Sequence, residues 1–128
     1  MNTIEHLQTF GYAIEQNVIS GEECEVMAEA LDKIKTKKQA QGALYSTDSQ
    51  IVLFNVHLER PDIFLNKIDI PKVMDTVSVV LREEFILSNF NGSLSGSKGG
   101  DRVHIDSRIP ITDFANTFQI AAVLCIDD

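Results

Sequence analysis

Basic side chains are scarce in this chain. Its 128 residues include 11 lysines and arginines against 19 aspartates and glutamates, which gives a formal net charge of −8 at pH 7. The one dense group of lysines, "KIKTKK" at residues 33–38, falls at the end of a predicted helix, where cations offset the negative end of the helix dipole. Nucleic-acid phosphates need a basic face, which this composition does not supply. We therefore expect small-molecule or protein partners and no nucleic acid.

Long apolar runs and a basic leader are also missing. The N-terminal "MNTIEHLQTFGYAIEQ" has neither the charged start nor the continuous apolar centre of a signal peptide, and no run of residues is apolar for long enough to cross a bilayer. The two cysteines, Cys24 and Cys125, lack the spacing of zinc ligands or of a C-x-x-C motif. We expect a cytoplasmic protein that does not bind membranes, with both cysteines reduced and in its core.

The first residues predict a short helix and a strand. "TIEHLQTF" opens with Thr3 as a plausible N-cap and is closed by Gly11, a residue that often ends helices. The alternating "YAIEQ" at residues 12–16 then predicts a strand.

The next helix is better marked. Ser20, with Glu23 three residues later, forms a capping-box signature, and it predicts a helix of about residues 21–40. Its apolar residues recur at spacings of three and four and should form one core stripe: Cys24, Met27, Leu31 and Ile34.

The middle of the chain mixes loop, strand and helix signals. Residues 41–50 are polar and predict a loop, and "IVLFNV" at residues 51–56 predicts a strand. Pro61 begins a short predicted helix, "PDIFLNKI", and Pro71 begins a longer one, "PKVMDTVSVVLREE". The second helix should bury one face, made of Val73, Val77, Val80 and Leu81.

From Phe85 onward the pattern changes to strands and glycine-containing turns. The segments "FILSNFNGSL", "RVHID" and "TFQIAAVLCIDD" each predict a strand. Helices come first and strands second, and no repeat or linker divides the chain. We predict one α+β domain over residues 1–128, with a helical layer at about 1–84 packed on strands at about 85–128.

The last predicted strand, "QIAAVLCI", is the most apolar segment of the sequence. A strand of this composition is normally covered on both faces, yet the chain stops two residues later. We therefore expect these residues to belong to a longer polypeptide. We also expect the isolated chain to aggregate or to self-associate through this strand.

The strongest chemical signal is the triplet His104-Ile105-Asp106. On a strand, residues two apart point to the same face, so the imidazole of His104 and the carboxylate of Asp106 project together. Such a pair supplies two of the three ligands in the two-histidine, one-carboxylate site that non-haem Fe(II) oxygenases use. The same spacing also suits a hydrogen-bonded surface pair, and spacing alone does not separate the two interpretations.

Three segments together resemble a known family. "GYAIEQNVISGEECEVMAEALDKI", "SNFNGSLSGSKGGDRVHIDSRIP" and "FQIAAVLCIDD" occur in the order typical of the phytanoyl-CoA dioxygenase family of Fe(II)- and 2-oxoglutarate-dependent oxygenases. The resemblance spans nearly the whole chain, and H-x-D is its only chemically specific motif. It implies helices packed on one side of a jelly roll, the double-stranded β-helix, of which this chain would form the N-terminal half.

The resemblance also implies the chemistry. His104 and Asp106 would be iron ligands and catalytic residues, with Fe(II) as cofactor and 2-oxoglutarate as cosubstrate. The reaction would hydroxylate a small organic substrate with O2 while 2-oxoglutarate is converted to succinate and CO2. An aspartate at position 106 points to hydroxylation, because halogenating relatives have a small residue there. The family's second histidine and its 2-oxoglutarate-binding arginine would lie beyond residue 128, since His6 and His57 both precede the motif and are expected to be ordinary solvated or hydrogen-bonded side chains.

Two further residues are candidates for binding the cosubstrate. Asn89 lies before the glycine turn, where family members often place a polar contact, with Asn91 as the alternative if the strand presents its other face. Arg102 shares the face of His104 by strand parity and could meet an anion.

Two other functions remain open at this stage. The chain could be a non-catalytic jelly-roll binding module in which His104 and Asp106 form a structural pair. Less favoured is a metal-dependent isomerase or hydrolase on a cupin-like barrel, because such sites usually draw several histidines from barrel strands.

Overall fold

A computed structural model describes residues 1–82, 84–95 and 117–127. Within these ranges the chain is an α+β structure with five α-helices and a three-stranded antiparallel sheet, which confirms the predicted class. The helices are α1 (Thr3–Phe10), α2 (Gly21–Ala40), α3 (Val56–Glu59), α4 (Pro61–Phe64) and α5 (Pro71–Leu81), and a 3₁₀ turn (Leu65–Lys67) follows α4. The strands are β1 (Tyr45–Ser46), β2 (Gln50–Leu53) and β3 (Gly92–Ser95). In the described residues, no helix is long and apolar enough to span a membrane.

Helix α1 begins one residue earlier than its sequence signal indicated. Asn2, not Thr3, is the N-cap: its side chain accepts a hydrogen bond from the amide of Glu5, and the Glu5 carboxylate accepts one from the amide of Asn2. Thr3 is free to donate its hydroxyl to Glu15 instead. Gly11 ends the helix with a φ of 78°, as predicted, because glycine adopts this left-handed conformation without steric cost.

Residues 12–16 do not form the predicted strand. They run without regular secondary structure along α1 and reach α5, where Lys72 pairs with Glu15 at 2.6 Å and donates to the carbonyl of Gln16 at 3.2 Å. Alternation of apolar residues was a misleading signal here, because the segment is held by side-chain contacts to helices and not by a neighbouring strand.

Helix α2 confirms its prediction most closely. Its range, its Ser20–Glu23 capping box and its buried stripe all match, although Cys24 is only partly buried and Ala30 joins the stripe. The lysines at its end do more than face the helix dipole. Lys37 and Lys38 both pair with Glu59 of α3, at 2.7 and 2.5 Å, and so tie the end of α2 to the next layer of helices.

The predicted loop at residues 41–50 contains a strand. Tyr45 pairs with Val52 and Ser46 with Ile51, around a tight turn in which the amide of Thr47 donates to the carbonyl of Gln50 at 2.8 Å. Strand β2 ends at Leu53, because Asn55 takes a left-handed conformation (φ 51°) and Val56 starts α3.

Strand β3 completes the described sheet. It pairs antiparallel with β2, with Ile51 opposite Leu94 and Leu53 opposite Gly92. The predicted strand "FILSNFNGSL" is therefore ordered as a strand only at its end, since residues 84–91 have no regular secondary structure.

The two helices predicted to begin with a proline are confirmed at their first residues. Pro61 starts α4 and Pro71 starts α5, where the missing amide hydrogen costs nothing. Helix α5 stops at Leu81, earlier than predicted, because Arg82 takes a left-handed conformation. Its predicted face is confirmed: Val77 is buried, and Val73, Val80 and Leu81 are partly buried.

The core lies between α2 and one face of the sheet. Phe64, Leu53 and Val56 are its largest fully buried side chains, and the buried stripe of α2 packs on them. Ile51 and Leu94 extend it along the sheet.

Residues 117–127 also contribute to this core but form no strand within the described range. Leu124 and Ile126 pack against it. Cys125, between these two residues, and Val123, just before Leu124, are exposed, and Val123 is 80% exposed. The prediction of Cys125 as a core residue was therefore wrong, because alternate side chains of this extended segment face solvent. Both cysteines are free, as predicted.

An ion pair joins the start of α2 to the 3₁₀ turn. One oxygen of the Glu23 carboxylate accepts hydrogen bonds from the amide and the hydroxyl of Ser20, at 2.8 and 2.9 Å. The other oxygen accepts a hydrogen bond from Lys67, whose side chain is 8% exposed. The hydrogen bond from Lys67 and then those from Ser20 lower the pKa of Glu23 from its usual 4.5 to about 2.

We expect this carboxylate to make stability depend on acid. Because the pKa is lower in the folded state, the stabilisation is complete above pH 4.5 and is lost as the pH falls toward 2. Glu23→Gln should therefore reduce the urea midpoint at pH 7 and show a smaller further loss between pH 4.5 and 2 than the unaltered protein. Salt should weaken the effect, since the Glu23 side chain is 44% exposed.

The matched control for this experiment is Glu25→Gln, an exposed position on the same helix. Equal acid profiles for the two variants would contradict the assigned role of the Glu23–Lys67 pair.

Candidate functional site

The sheet has one face turned away from the helices. By strand alternation, Gln50 and Val52 face away from the side to which Ile51 and Leu53 point. Val52 lies opposite Tyr45 on β1 and Ser93 on β3. We call this the outer face and define it by Tyr45, Gln50, Val52, Phe54 and Ser93.

The outer face carries aromatic and polar groups together. The rings of Tyr45 and Phe54 lie 5.5 Å apart at 60°, and both side chains are more than half exposed. Beside them the hydroxyl of Ser93 donates to the side-chain oxygen of Gln50 at 2.9 Å. Small-molecule sites commonly combine aromatic side chains with a few fixed hydrogen-bonding groups, and this surface carries both kinds of group.

The chain reaches the outer face through a segment that is held at three points. The carbonyl of Phe90 accepts from the amide of Val56 at 2.9 Å, and the side-chain oxygen of Asn91 accepts from the amide of Asn55 at 3.0 Å. Gly92 then enters the sheet opposite Leu53. These contacts fix the direction in which β3 leaves the core, and β3 leads into the stretch that contains the H-x-D triplet.

Gly92 lies at a close approach between α2 and β3. A Cβ at this position would lie 2.6 Å from Cδ2 of Leu31 and 3.4 Å from Cγ1 of Val56. A side chain here would therefore force Leu31 to shift.

Three of the four predicted site residues, His104, Asp106 and Arg102, lie outside the described residues. The fourth, Asn89, is exposed in the segment just before β3. The prediction that Asn89 and Asn91 present opposite faces was wrong, because residues two apart in an extended chain share a face. Phe90, between them, is the one that packs toward the core. Since the oxygen of Asn91 is already bound by Asn55, Asn89 is the better placed of the two to meet a ligand.

The other two histidines have local surroundings of their own. Nδ1 of His6 lies 2.8 Å from the carbonyl of Tyr12. A carbonyl can only accept, so Nδ1 carries the proton. Beside this ring a cleft of about 230 Å³ opens between α1 and residues 12–14, below the size range of typical ligand sites. His6 is thus a hydrogen-bonded side chain, as predicted.

His57 lies against the segment that precedes β3. Its ring stacks on Phe90 with centroids 6.0 Å apart, and its Nδ1 is buried with no hydrogen-bond partner in the part of the chain that the structure describes. Within that part, no group of three histidine, cysteine, aspartate or glutamate side chains could hold a metal ion.

The site also contains a feature that the sequence did not reveal. The contact of Asn91 with Asn55 joins positions 36 residues apart, and no local sequence pattern indicates it.

No family model, curated protein or solved structure matches the chain.

Proposed function

We propose that the chain is part of an Fe(II)- and 2-oxoglutarate-dependent dioxygenase that hydroxylates a small organic substrate in the cytoplasm. The observation that carries the proposal is the H-x-D triplet on a predicted strand, within a sequence that resembles the phytanoyl-CoA dioxygenase family. An imidazole and a carboxylate on one strand face are the donor types that ferrous iron takes in such oxygenases. His104 and Asp106 would hold the metal.

The described fold is consistent with this proposal in one respect. The resemblance implies a jelly roll with helices packed on one side, and α2 packs on one face of the sheet while the outer face carries no described helix. In the proposal, the outer face would look toward substrate and cosubstrate, with Asn89 and Arg102 contributing polar contacts. Iron, when bound, would supply oxygen activation coupled to loss of CO2 from 2-oxoglutarate. The protein's own part would be to orient the substrate and to exclude water.

Anaerobic Fe(II) titration tests the proposed ligands. Loss of one ligand should weaken binding by more than about 100-fold, since outer partners of metal ligands alone are worth 10–100-fold. We therefore expect His104→Ala and Asp106→Ala to abolish measurable iron binding. His6→Ala is the matched control and should bind iron as the unaltered chain does, because His6 is hydrogen-bonded locally on α1. Unchanged affinity in both ligand variants would refute the site.

A second measurement distinguishes an enzyme from a binding module. In a polypeptide that also carries the family's second histidine and its 2-oxoglutarate-binding arginine, Fe(II) and 2-oxoglutarate without oxygen should give a weak visible charge-transfer band, and oxygen should then release succinate even without a substrate. The exposed Tyr45–Phe54 pair on the outer face suits the alternative, a non-catalytic binding module, equally well. Neither the band nor succinate from that longer polypeptide would support the alternative and exclude the dioxygenase.

A further inference from the structure

We infer that Asn91–Gly92 is a site of spontaneous covalent modification that the folded sheet suppresses. The sequence places an asparagine directly before a glycine, the pairing in which the following backbone nitrogen has the least steric hindrance to attack on the asparagine side chain. This inference does not depend on the proposed enzymatic function.

The reaction is deamidation and needs only water. The backbone nitrogen of Gly92 attacks Cγ of Asn91, a new N–C bond closes a five-membered imide, and the side-chain amide leaves as ammonia with the proton from Gly92. Water then opens the ring at either carbonyl. One opening gives aspartate at position 91, and the other gives isoaspartate, in which the main chain runs through the former side chain.

The glycine cannot be exchanged for a more hindered residue without cost. A Cβ at position 92 would lie 2.6 Å from Cδ2 of Leu31, in the buried stripe of α2. The packing of β3 on α2 therefore retains the residue that makes the preceding asparagine reactive.

In the folded chain, the backbone of Gly92 and the side chain of Asn91 are both held by hydrogen-bonded contacts. The amide of Thr47 donates a hydrogen bond to the carbonyl of Gln50, so the backbone N–H and C=O of Gln50 face β1. Because these groups point to opposite sides in successive residues of a strand, those of Leu53 face β3. Gly92, opposite Leu53, is thus engaged through its backbone in the sheet. The side-chain oxygen of Asn91 is held by the amide of Asn55 at 3.0 Å. Imide closure requires the Gly92 nitrogen to leave the sheet and the Asn91 side chain to rotate toward it, away from the amide of Asn55.

The product would not fit back into the sheet. Isoaspartate adds one methylene to the main chain at position 91. Gly92 and Leu94 then cannot both return to their partners Leu53 and Ile51, because strand pairing depends on register. Each molecule in which the imide opens to isoaspartate would therefore lose the native pairing of β3 permanently, whereas the aspartate product keeps the normal main chain.

The test compares deamidation of the full chain in buffer and in urea at the same mildly alkaline pH. Peptide mapping by mass spectrometry follows the amide-to-acid mass increase at each asparagine, and enzymatic methylation of isoaspartate identifies the second product. We expect Asn91 to react at least about tenfold more slowly in buffer than in urea, because reaction from a rare open state scales with its population. Asn89, followed by the bulky Phe90, is the internal control and should react more slowly than Asn91 in urea.

A pair of variants tests the role of β3. Leu94→Ala removes a partly buried contact that holds the strand and should accelerate the reaction at Asn91 in buffer. Ser95→Ala, exposed at the next position of the same strand, should leave the rate unchanged. Equal rates in buffer and urea would show that the fold gives no protection and would overturn the inference. So would a faster reaction at Asn89 than at Asn91 in urea, or an unchanged rate in Leu94→Ala.

Discussion

Truncation of Phe64 to alanine should lower the free energy of unfolding by about 3–5 kcal/mol, the usual cost of removing a buried aromatic ring. Phe64 is 1% exposed and is the largest of the fully buried side chains. Its ring meets Phe90 edge to face with centroids 6.1 Å apart, so the variant also loses one contact to the segment before β3. Urea unfolding followed by circular dichroism measures the change.

Phe54→Ala is the matched control for this loss. Phe54 is 54% exposed on the outer face, and its truncation should cost about 0.5 kcal/mol or less. A domain is typically stable by only about 5–15 kcal/mol, so Phe64→Ala can leave too little folded protein to measure. Phe64→Leu then replaces it and should show a smaller loss of the same sign. Equal losses at positions 64 and 54 would contradict the described core.

Gly92→Ala should destabilise the fold by about 1–3 kcal/mol, although alanine normally stabilises a strand relative to glycine. The added methyl group would overlap with Cδ2 of Leu31, which is 7% exposed and has little room to move. Gly21→Ala at the start of α2 is the control, because a Cβ there meets nothing within 4 Å. That variant should be neutral or slightly more stable.

A double-mutant cycle identifies the contact responsible. Leu31→Val removes both Cδ atoms, so the cost of Gly92→Ala should shrink in that background. The same cost in both backgrounds would place the strain in the β3 backbone and not in its contact with α2.

The sequence predicted those elements whose signals are local. Helix α2 has a capping box and a stripe at helical spacing within its own residues, and Pro61 and Pro71 each begin a helix because their own rings suit the first turn. Strand β1 was missed since it has two exposed residues, and its pairing depends on the turn at residues 47–50. Residues 12–16 have a strand pattern but pair with no strand in the described part of the chain. Local pattern therefore identified helices more reliably than strands.

The candidate site likewise combines features with local sequence signals and features that depend on contacts between distant residues. The role of Asn91 depends on a hydrogen bond from the amide of Asn55, 36 residues earlier, which no local pattern predicts. The close approach of Gly92 to Leu31 is likewise a property of tertiary packing. The H-x-D triplet and its face could be read from sequence because strand parity is local, but the residues lie outside the described part of the fold and stay a prediction.

The two pairings of β2 differ greatly in the length of chain that each one closes. Strand β1 meets β2 across a tight turn, whereas residues 54–91, with three helices, separate β2 from β3. Closing a longer loop costs more entropy before its contacts form, and long-range pairings slow folding. We therefore expect the β1–β2 hairpin to form early and β3 to dock last, after α3, α4 and α5 are in place. Pulse-labelling hydrogen exchange during refolding should find the amides of β2 that face β3 protected later than those that face β1, and simultaneous protection would exclude this order.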